Sequence, residues 1–285
     1  MIISQLSGGL GNQLFQYAAG YAIAERLNTN LFLYFHINEC DTKRDQIIKE
    51  LVSDIHWLEF KQLKPFIPHS FISKFKQRIL PVNKRSFFKE RDFTFDDRVL
   101  NISDNTLING YWQSEDYFSR VSDKVRDTIL SKLNTIELDK SILNNLTLEN
   151  SISLHVRKGD YLIFPYSDYY YELQSEYYER ALECLSSKIA FSKIFVFTDD
   201  VNWVNEHLKI GFDFQIVSQT FTKSVLEDMR AMSLCNHHII ANSSFSWWSA
   251  WLSQNPNKQV VAPLNWFKSV RKSTKNLIPE RWLRV

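Results

Sequence analysis

Three short polar runs carry the residue types that hold a diphosphate. The first is His155, Val156, Arg157, Lys158, Gly159 and Asp160. The second is Thr198, Asp199 and Asp200. The third is Asn242, Ser243, Ser244, Phe245 and Ser246. An arginine fork matches phosphate oxygens two at a time. Small polar residues ahead of the aromatic run Trp247–Leu252 read as a turn opening a helix, and such a turn offers unpaired N–H groups, hydroxyls and the positive end of a helix dipole. A carboxylate such as Asp199 can accept from two ring-edge donors of a guanine, or from ribose hydroxyls. Cation, N–H turn and carboxylate together suit a nucleoside diphosphate. Each run also has a reading without a ligand: Arg157 and Asp160 as a structural ion pair, Asp199 as a helix N-cap, His155 as a core histidine, and the serine turn as a capped core helix.

The elements that must position these runs can be read around them. Ser151–Val156, Lys193–Thr198 and His237–Ala241 are apolar, strand-like runs, and each leads into one of the polar sets. Between and after them the spacing predicts helices over Ser175–Ile189 (capped by Ser175), Trp203–Leu208, a Ser224/Glu227 capping box opening at Val225, and the tryptophan-rich helix ended by Pro256. Further strands are expected at Phe214–Val217 and Gln259–Ala262. Strand–helix alternation implies a parallel sheet with helices on both faces, and such sheets bind ligands beyond the carboxyl ends of their strands. All three polar sets then fall on one edge. Trp247, Trp248 and Trp251 read as core that holds the serine turn rigid.

A second constellation opens the chain. A β-prone run over residues 2–6 leads into Gly8, Gly9, Leu10, Gly11, Asn12 and Gln13, then a helical pattern from Leu14 to Leu27, with a second strand at Leu31–Phe35. Four of seven glycines lie in the first 20 positions, so the backbone there must bend or approach something closely. The run is neither a dinucleotide fingerprint nor a Walker loop, and a tight turn without a ligand explains it as well. A strand at Thr106–Ile108 is followed by Gly110, Tyr111, Trp112, Gln113 and Ser114, whose aromatics could stack on a sugar or lie in the core. Val121–Leu133 is helical. The stretch 41–98 is weaker, with helices broken by Pro65, Pro68 and Pro81. Its basic, aromatic part from Lys64 to Arg85 could touch a membrane, although a solvated helix and loop accounts for its residues. Leu143–Asn150 resembles an interdomain connection, giving expected domains of 1–147 and 148–285.

The chain's 285 residues, 44% hydrophobic and 23% charged, can bury a large core. A net charge of +2 argues against nucleic-acid binding. Cys40, Cys184 and Cys235 form no CxxC and look like reduced thiols. The N-terminus shows no signal pattern, and no stretch approaches the ~20 apolar residues of a membrane span, so a cytoplasmic protein is expected. Metal ligation is not expected: the sequence holds no Asp-x-Asp and no HExxH, and neighbouring strand residues such as His237 and His238 face opposite ways.

Gly8–Ala18 (GGLGNQLFQYA), His155–Tyr161 (HVRKGDY) and Asn242–Trp248 (NSSFSWW), in that order, resemble the bacterial α-1,2-fucosyltransferases of glycosyltransferase family 11, as does Gly110–Ser114. The resemblance spans nearly the whole chain. It implies two Rossmann-like α/β domains of GT-B type with a cleft between them, an N-terminal acceptor side and a C-terminal donor side. It implies GDP-β-L-fucose as donor substrate, no cofactor or metal, and inversion to an α-1,2 linkage on a terminal galactose of a lactose-type, O-antigen or lipid-linked glycan, with contact at the inner face of the membrane conceivable. Arg157 matches the arginine on the donor β-phosphate, His155 the histidine that contacts the nucleotide, Asp199 the carboxylate that reads guanine, and Ser243–Ser246 the serine-rich turn at the phosphates. The donor set is then Gly9, Gly11, Asn12, Gln13, Arg157, Thr198, Asp199, Asn242, Ser243, Ser244, Phe245 and Ser246; Tyr111, Trp112 and Gln113 form the acceptor set; and Arg157, Asp160 and His155 the catalytic set. Asp160 is the candidate base, with Glu115, Asp116 and Asp168 as rivals. Lys158 departs from the family's second arginine, and the insert Tyr166–Tyr171 departs on the acceptor side. A non-catalytic glycan or sugar-nucleotide binder, or a transferase using another nucleotide sugar, would share parts of this pattern.

Overall fold

A computed structural model describes residues 1–35, 42–269 and 273–285. Its contacts divide the chain into two compact units, 1–129 with 273–279 and 130–272 with 280–285. The expected boundary at 147/148 lies later. The reason is α-helical packing: residues 140–146 form a helix whose buried Ile142 and Leu146 join Phe195 and Phe197 of the second unit's core.

The first unit is built on five strands: β1 (Ile2–Leu6), β2 (Leu31–Phe35), β3 (His56–Trp57), β4 (Phe87–Lys89) and β5 (Thr106–Asn109). They pair in the order β3-β2-β1-β5-β4, all parallel. Helix α1 (Leu10–Arg26) follows β1, earlier than the pattern from Leu14 suggested, because Gly9 takes the N-cap position and Gly11 enters the helix. The two-residue β3 and three-residue β4 were hidden in the weakly patterned stretch. Helices α2 (Thr42–Leu51) and α3 (Phe71–Ile79) also belong to this unit.

After α4 (Ser122–Leu133) and α5 (Lys140–Leu146), the second unit contains six parallel strands. These are β6 (Ser151–Val156), β7 (Lys193–Thr198), β8 (Phe214–Ile216), β9 (His237–Ile239), β10 (Val260–Ala262) and β11 (Leu283–Arg284), in the order β11-β10-β9-β6-β7-β8. Between them run α6 (Ser175–Ser186), α7 (Val201–His207), α8 (Val225–Leu234) and α9 (Ser244–Leu252). Central β6 is buried at all six positions, as expected of a parallel strand covered on both faces. Leu154, Ile194, Val196, Tyr178 and Leu182 form one core on this sheet; Phe195, Phe197, Val217 and Met232 form the other. Ser224 caps α8 as read, its Oγ accepting the Glu227 N–H, but the reciprocal half of the box differs: the Glu227 carboxylate accepts the Lys223 N–H and the Ser224 hydroxyl. Ser175 does not cap α6; its hydroxyl instead exchanges hydrogen bonds with the Lys209 backbone, and Gln174 takes the N-cap.

Both sheets of the expected α/β architecture are therefore present. Cys184 and Cys235 are free thiols, while Cys40 lies outside the described residues. Among the described residues, no helix is long and apolar enough to cross a membrane.

Candidate active site

The order β9-β6-β7 makes neighbours of the three strands that lead into the polar runs. Parallel registers set Leu154 beside Ile239 and Val156 beside Thr198, so the strands end on the same edge. The sequence-predicted convergence in the second unit is thus a property of its sheet.

Arg157 is the centre of that edge. Its Nη2 lies 2.6 Å from Asp160 Oδ1 and its Nη1 3.0 Å from Asp199 Oδ2. The guanidinium carbon stands 5.5 Å from the centre of the Tyr161 ring. Burial works against its charge, but Asp199 and Asp160 outweigh burial and raise its pKa. The other Asp199 oxygen, Oδ1, accepts the Lys158 backbone N–H at 2.9 Å. Gly159 is needed for this approach: a Cβ there would meet Asp199 Oδ2 at 2.4 Å.

Two adjacent aspartates have divided their tasks. Asp200 caps α7, its Oδ1 accepting from Trp203 N–H at 2.9 Å, which leaves Asp199 to Arg157. The Thr198 hydroxyl accepts the Asp200 N–H and fixes the turn between them, and the Thr198 N–H donates to Ser218 Oγ. Ser218 Oγ in turn donates to Asp228, which also receives the Thr222 hydroxyl; burial pushes the Asp228 carboxyl up to about 6. Asp228 is not legible from sequence. Its neighbour Glu227 carried the visible capping signal, and nothing in the local spacing marks Asp228.

His155 is buried beside Phe245, with ring centres 5.7 Å apart. Burial, reinforced by the Arg157 charge, pushes its pKa down to about 3, so the ring is neutral at ordinary pH. Its Nδ1 has no hydrogen-bond partner among the described residues. A buried polar atom normally has one, so this site is short of a partner that a ligand could supply.

The serine turn opens α9 as expected, with Ser243 at the N-cap; its side chain makes no capping hydrogen bond. Trp247, Trp248 and Trp251 are core, all at most 2% exposed. Two members of the donor set are engaged elsewhere. Asn242 Nδ2 donates to Tyr171 O and Trp266 O, and its own carbonyl accepts the Tyr161 hydroxyl at 3.0 Å. Ser246 is fully buried and its hydroxyl turns back to Ser243 O at 3.2 Å. Lys158, which stands where the family has a second arginine, is turned away from this edge. It is buried, with Nζ 2.7 Å from Leu173 O, 3.1 Å from Glu172 and 4.0 Å from the Trp203 ring centre, so it anchors the segment ahead of α6. The insert Tyr166–Tyr171 folds back near Arg157: Tyr170 stacks on Tyr161 at 4.1 Å and packs on Phe267.

The remaining candidates belong to the first unit. Gly8 has φ +73°, a left-handed turn that favours glycine. Gln16, a motif residue not singled out from sequence, joins the turn to the end of β5: its Nε2 donates to Gly110 O and its Oε1 accepts the Ser7 N–H. Gln13 Nε2 donates to Gly8 O, and Gln113 Nε2 donates to Asn12 Oδ1 at 2.7 Å. The buried Oε1 atoms of Gln13 and Gln113 have no partner among the described residues. Trp112 is not a sugar platform. It is fully buried, stacked near Phe88 and edge-on to Tyr117. Its φ of +56° is unusual for a bulky residue, and the Glu90 carboxylate holds it there by accepting the N–H groups of Tyr111 and Trp112. Tyr111, 40% exposed beside Phe93, is the member of the acceptor set left at the surface. Among the described residues no three His, Cys, Asp or Glu converge as a metal would require.

Comparison with known proteins adds an independent line. A family model described as glycosyl transferase family 11 matches residues 1–285. The chain is 32% identical over 297 residues to an Escherichia coli protein named alpha-1,2-colitosyltransferase, covering 100% of this chain and 99% of that one. It is 28% identical over 310 residues to the E. coli O-antigen biosynthesis glycosyltransferase WbnK, covering 99% of both. Solved structures that it resembles include fucosyltransferase NodZ from Bradyrhizobium, at 16% identity and TM-score 0.48 over 87% of this chain and 92% of that one. Arabidopsis thaliana FUT1 in complex with GDP matches at 12% identity and TM-score 0.48, over 92% and 70%.

Proposed function

The chain belongs to glycosyl transferase family 11, and from that premise we propose that it transfers L-fucose from GDP-β-L-fucose to the 2-hydroxyl of a terminal galactose, with inversion. The observation that carries this reading is Arg157, held by Asp160 and Asp199 at the carboxyl end of β6 beside the start of α9. That arrangement suits a diphosphate leaving group.

In this reaction the acceptor oxygen bonds to the sugar C1 while the bond from C1 to the diphosphate oxygen breaks. The electron pair leaves with GDP, and the acceptor proton passes to a base. Arg157 and the first-turn N–H groups of α9 stabilise charge on the departing oxygens. Asp160, oriented by Arg157, is the proposed base. Neutral His155 offers its unpartnered Nδ1 to the nucleotide. Thr198, Asp199, Ser243, Ser244 and Phe245 are proposed to shape the donor site. Tyr111 is the proposed acceptor contact. The diphosphate charge is met by these groups without a divalent cation, so activity should persist in EDTA. The acceptor class proposed is an O-antigen or lipid-linked glycan, consistent with the name of the WbnK relative, and the expected location is the cytoplasm.

A second donor deserves the same assay, because one relative is named a colitosyltransferase. Colitose is L-fucose without its 3-hydroxyl, so one pocket could serve either sugar. Incubation with GDP-fucose or GDP-colitose against lactose, N-acetyllactosamine and Gal-β1,3-GalNAc, with mass analysis of products, tests the proposal. A product from GDP-fucose carrying an α-1,2 linkage supports it. GDP binding with no transfer from either donor to any acceptor overturns it in favour of a binding protein.

A further inference from the structure

Helix α3 is turned the wrong way round for a helix at a protein–water boundary. Phe71, Ile72, Phe75 and Ile79 are 84%, 78%, 56% and 65% exposed. At about 100° per residue these four share a single stripe roughly 100° wide. The opposite side carries the half-buried Ser73 and Gln77, and Gln77 Nε2 donates to Ser86 Oγ at 2.9 Å. No residue of the helix is buried. The polar side therefore faces the unit and the apolar side faces outward. Ordinary surface helices do the reverse, and contiguous exposed apolar patches mark contact sites.

Charge identifies the contact. Lys74 and Arg78 border the stripe on one edge and Lys76 on the other. Residues 60–89 hold eight Lys or Arg and no Asp or Glu. The whole chain has 34 Lys and Arg against 32 Asp and Glu, so the rest of it is acidic, 26 against 32. Cationic residues flanking an aromatic and aliphatic stripe are the pattern of a helix lying in the plane of a bilayer. An anionic leaflet supplies the opposite charge. A second copy of this face would bring like charges together. We propose that α3 is an in-plane membrane anchor for anionic lipid, with Phe71, Ile72, Phe75 and Ile79 seated at the acyl boundary and the flanking basic side chains on the headgroups. The anchor stands apart from the transfer reading, because it needs neither donor nor acceptor.

The test is flotation of the full chain with phosphatidylcholine vesicles, with and without phosphatidylglycerol. The wild type is expected to float with the anionic vesicles, to bind neutral ones about tenfold less, and to be released by salt. Phe71→Ser/Phe75→Ser should lower partitioning about tenfold or more. Lys74→Glu/Lys76→Glu/Arg78→Glu should release the protein even at low salt. All substituted residues are exposed, and circular dichroism checks that each variant is folded. Failure of the wild type to float with anionic vesicles overturns the proposal, as does flotation unchanged by the Phe71/Phe75 variant. Sedimentation velocity on the same proteins provides the remaining arm: a wild-type dimer that the Phe71/Phe75 variant dissociates assigns the stripe to a second copy and also overturns it.

Discussion

Asp199 holds two parts of the same loop at once. One oxygen accepts the Lys158 backbone N–H at 2.9 Å, and the other pairs with the Arg157 guanidinium at 3.0 Å. The arginine is thereby oriented before any substrate arrives, and each residue near it can be probed by what its loss would release.

Removing Arg157 should remove the charge proposed to stabilise the leaving diphosphate. Arg157→Ala is expected to lower kcat by about 10² to 10³, by analogy with the loss of a preorganised oxyanion donor. Arg157→Lys should recover little, because an ammonium cannot fork between partners. Steady-state kinetics with circular dichroism checks both; near-normal turnover in a folded Arg157→Ala would end the phosphate role.

Asp160→Asn keeps the shape but cannot take a proton. The acid limb of the kcat/KM profile should disappear in this variant. A profile that keeps the wild-type shape removes Asp160 as the base and leaves it as a holder of Arg157, with Glu115, Asp116 and Asp168 next in line.

Lys158 should matter to stability and not to donor binding. Lys158→Met leaves the Leu173 carbonyl without its buried donor and should cost about 1–3 kcal/mol. The affinity for GDP should stay within about twofold of wild type by calorimetry, because the ammonium is spent on Leu173, Glu172 and Trp203. A large loss of GDP affinity would contradict this and give Lys158 a part in donor binding.

Glu90 makes stability depend on pH in a definite direction. Burial lifts its pKa from 4.5 to about 7, so the folded state favours the protonated acid. Its contribution is present below the unfolded value and is lost as pH rises through about 7. Glu90→Gln should remove that loss, gaining on wild type by up to roughly 3 kcal/mol between pH 4.5 and pH 8. His155 has the opposite sign: its pKa of about 3 costs stability as pH falls from 6.5 toward 3. Urea titrations across pH separate the two; a Glu90→Gln difference that does not grow with pH contradicts the assignment.

The second sheet was legible because its central strands are apolar and its strands are punctuated by helices, and the six-residue β6 and β7 match the sequence reading residue for residue. The convergence of His155–Asp160, Thr198–Asp200 and Asn242–Ser246 followed from parallel pairing. Strands β3, β4 and β11 were not legible, because two or three residues carry no period to detect, and the last strand is therefore β11 and not the one at Gln259–Ala262. Side-chain direction was also hidden. Neighbouring residues Arg157 and Lys158 look alike in sequence, but one lies on the polar edge and the other anchors to Leu173. Trp112 looked available beside Tyr111 until the Glu90 carboxylate, 22 residues away in sequence, was seen to hold it inward. Such long-range partners leave no local spacing to read.

The Arg157 cluster has a further consequence for selectivity. One guanidinium faces two carboxylates, so the trio carries a formal charge of −1 if both acids are ionised. Long-range attraction for anions is then weak, and a lone phosphate gains little by displacing either carboxylate. A ligand must bring enough additional contacts to exchange partners with Asp160 or Asp199. Inorganic phosphate and sulfate are accordingly expected to be poor competitors of the proposed nucleotide-sugar donor, which brings the further contacts that such an exchange requires.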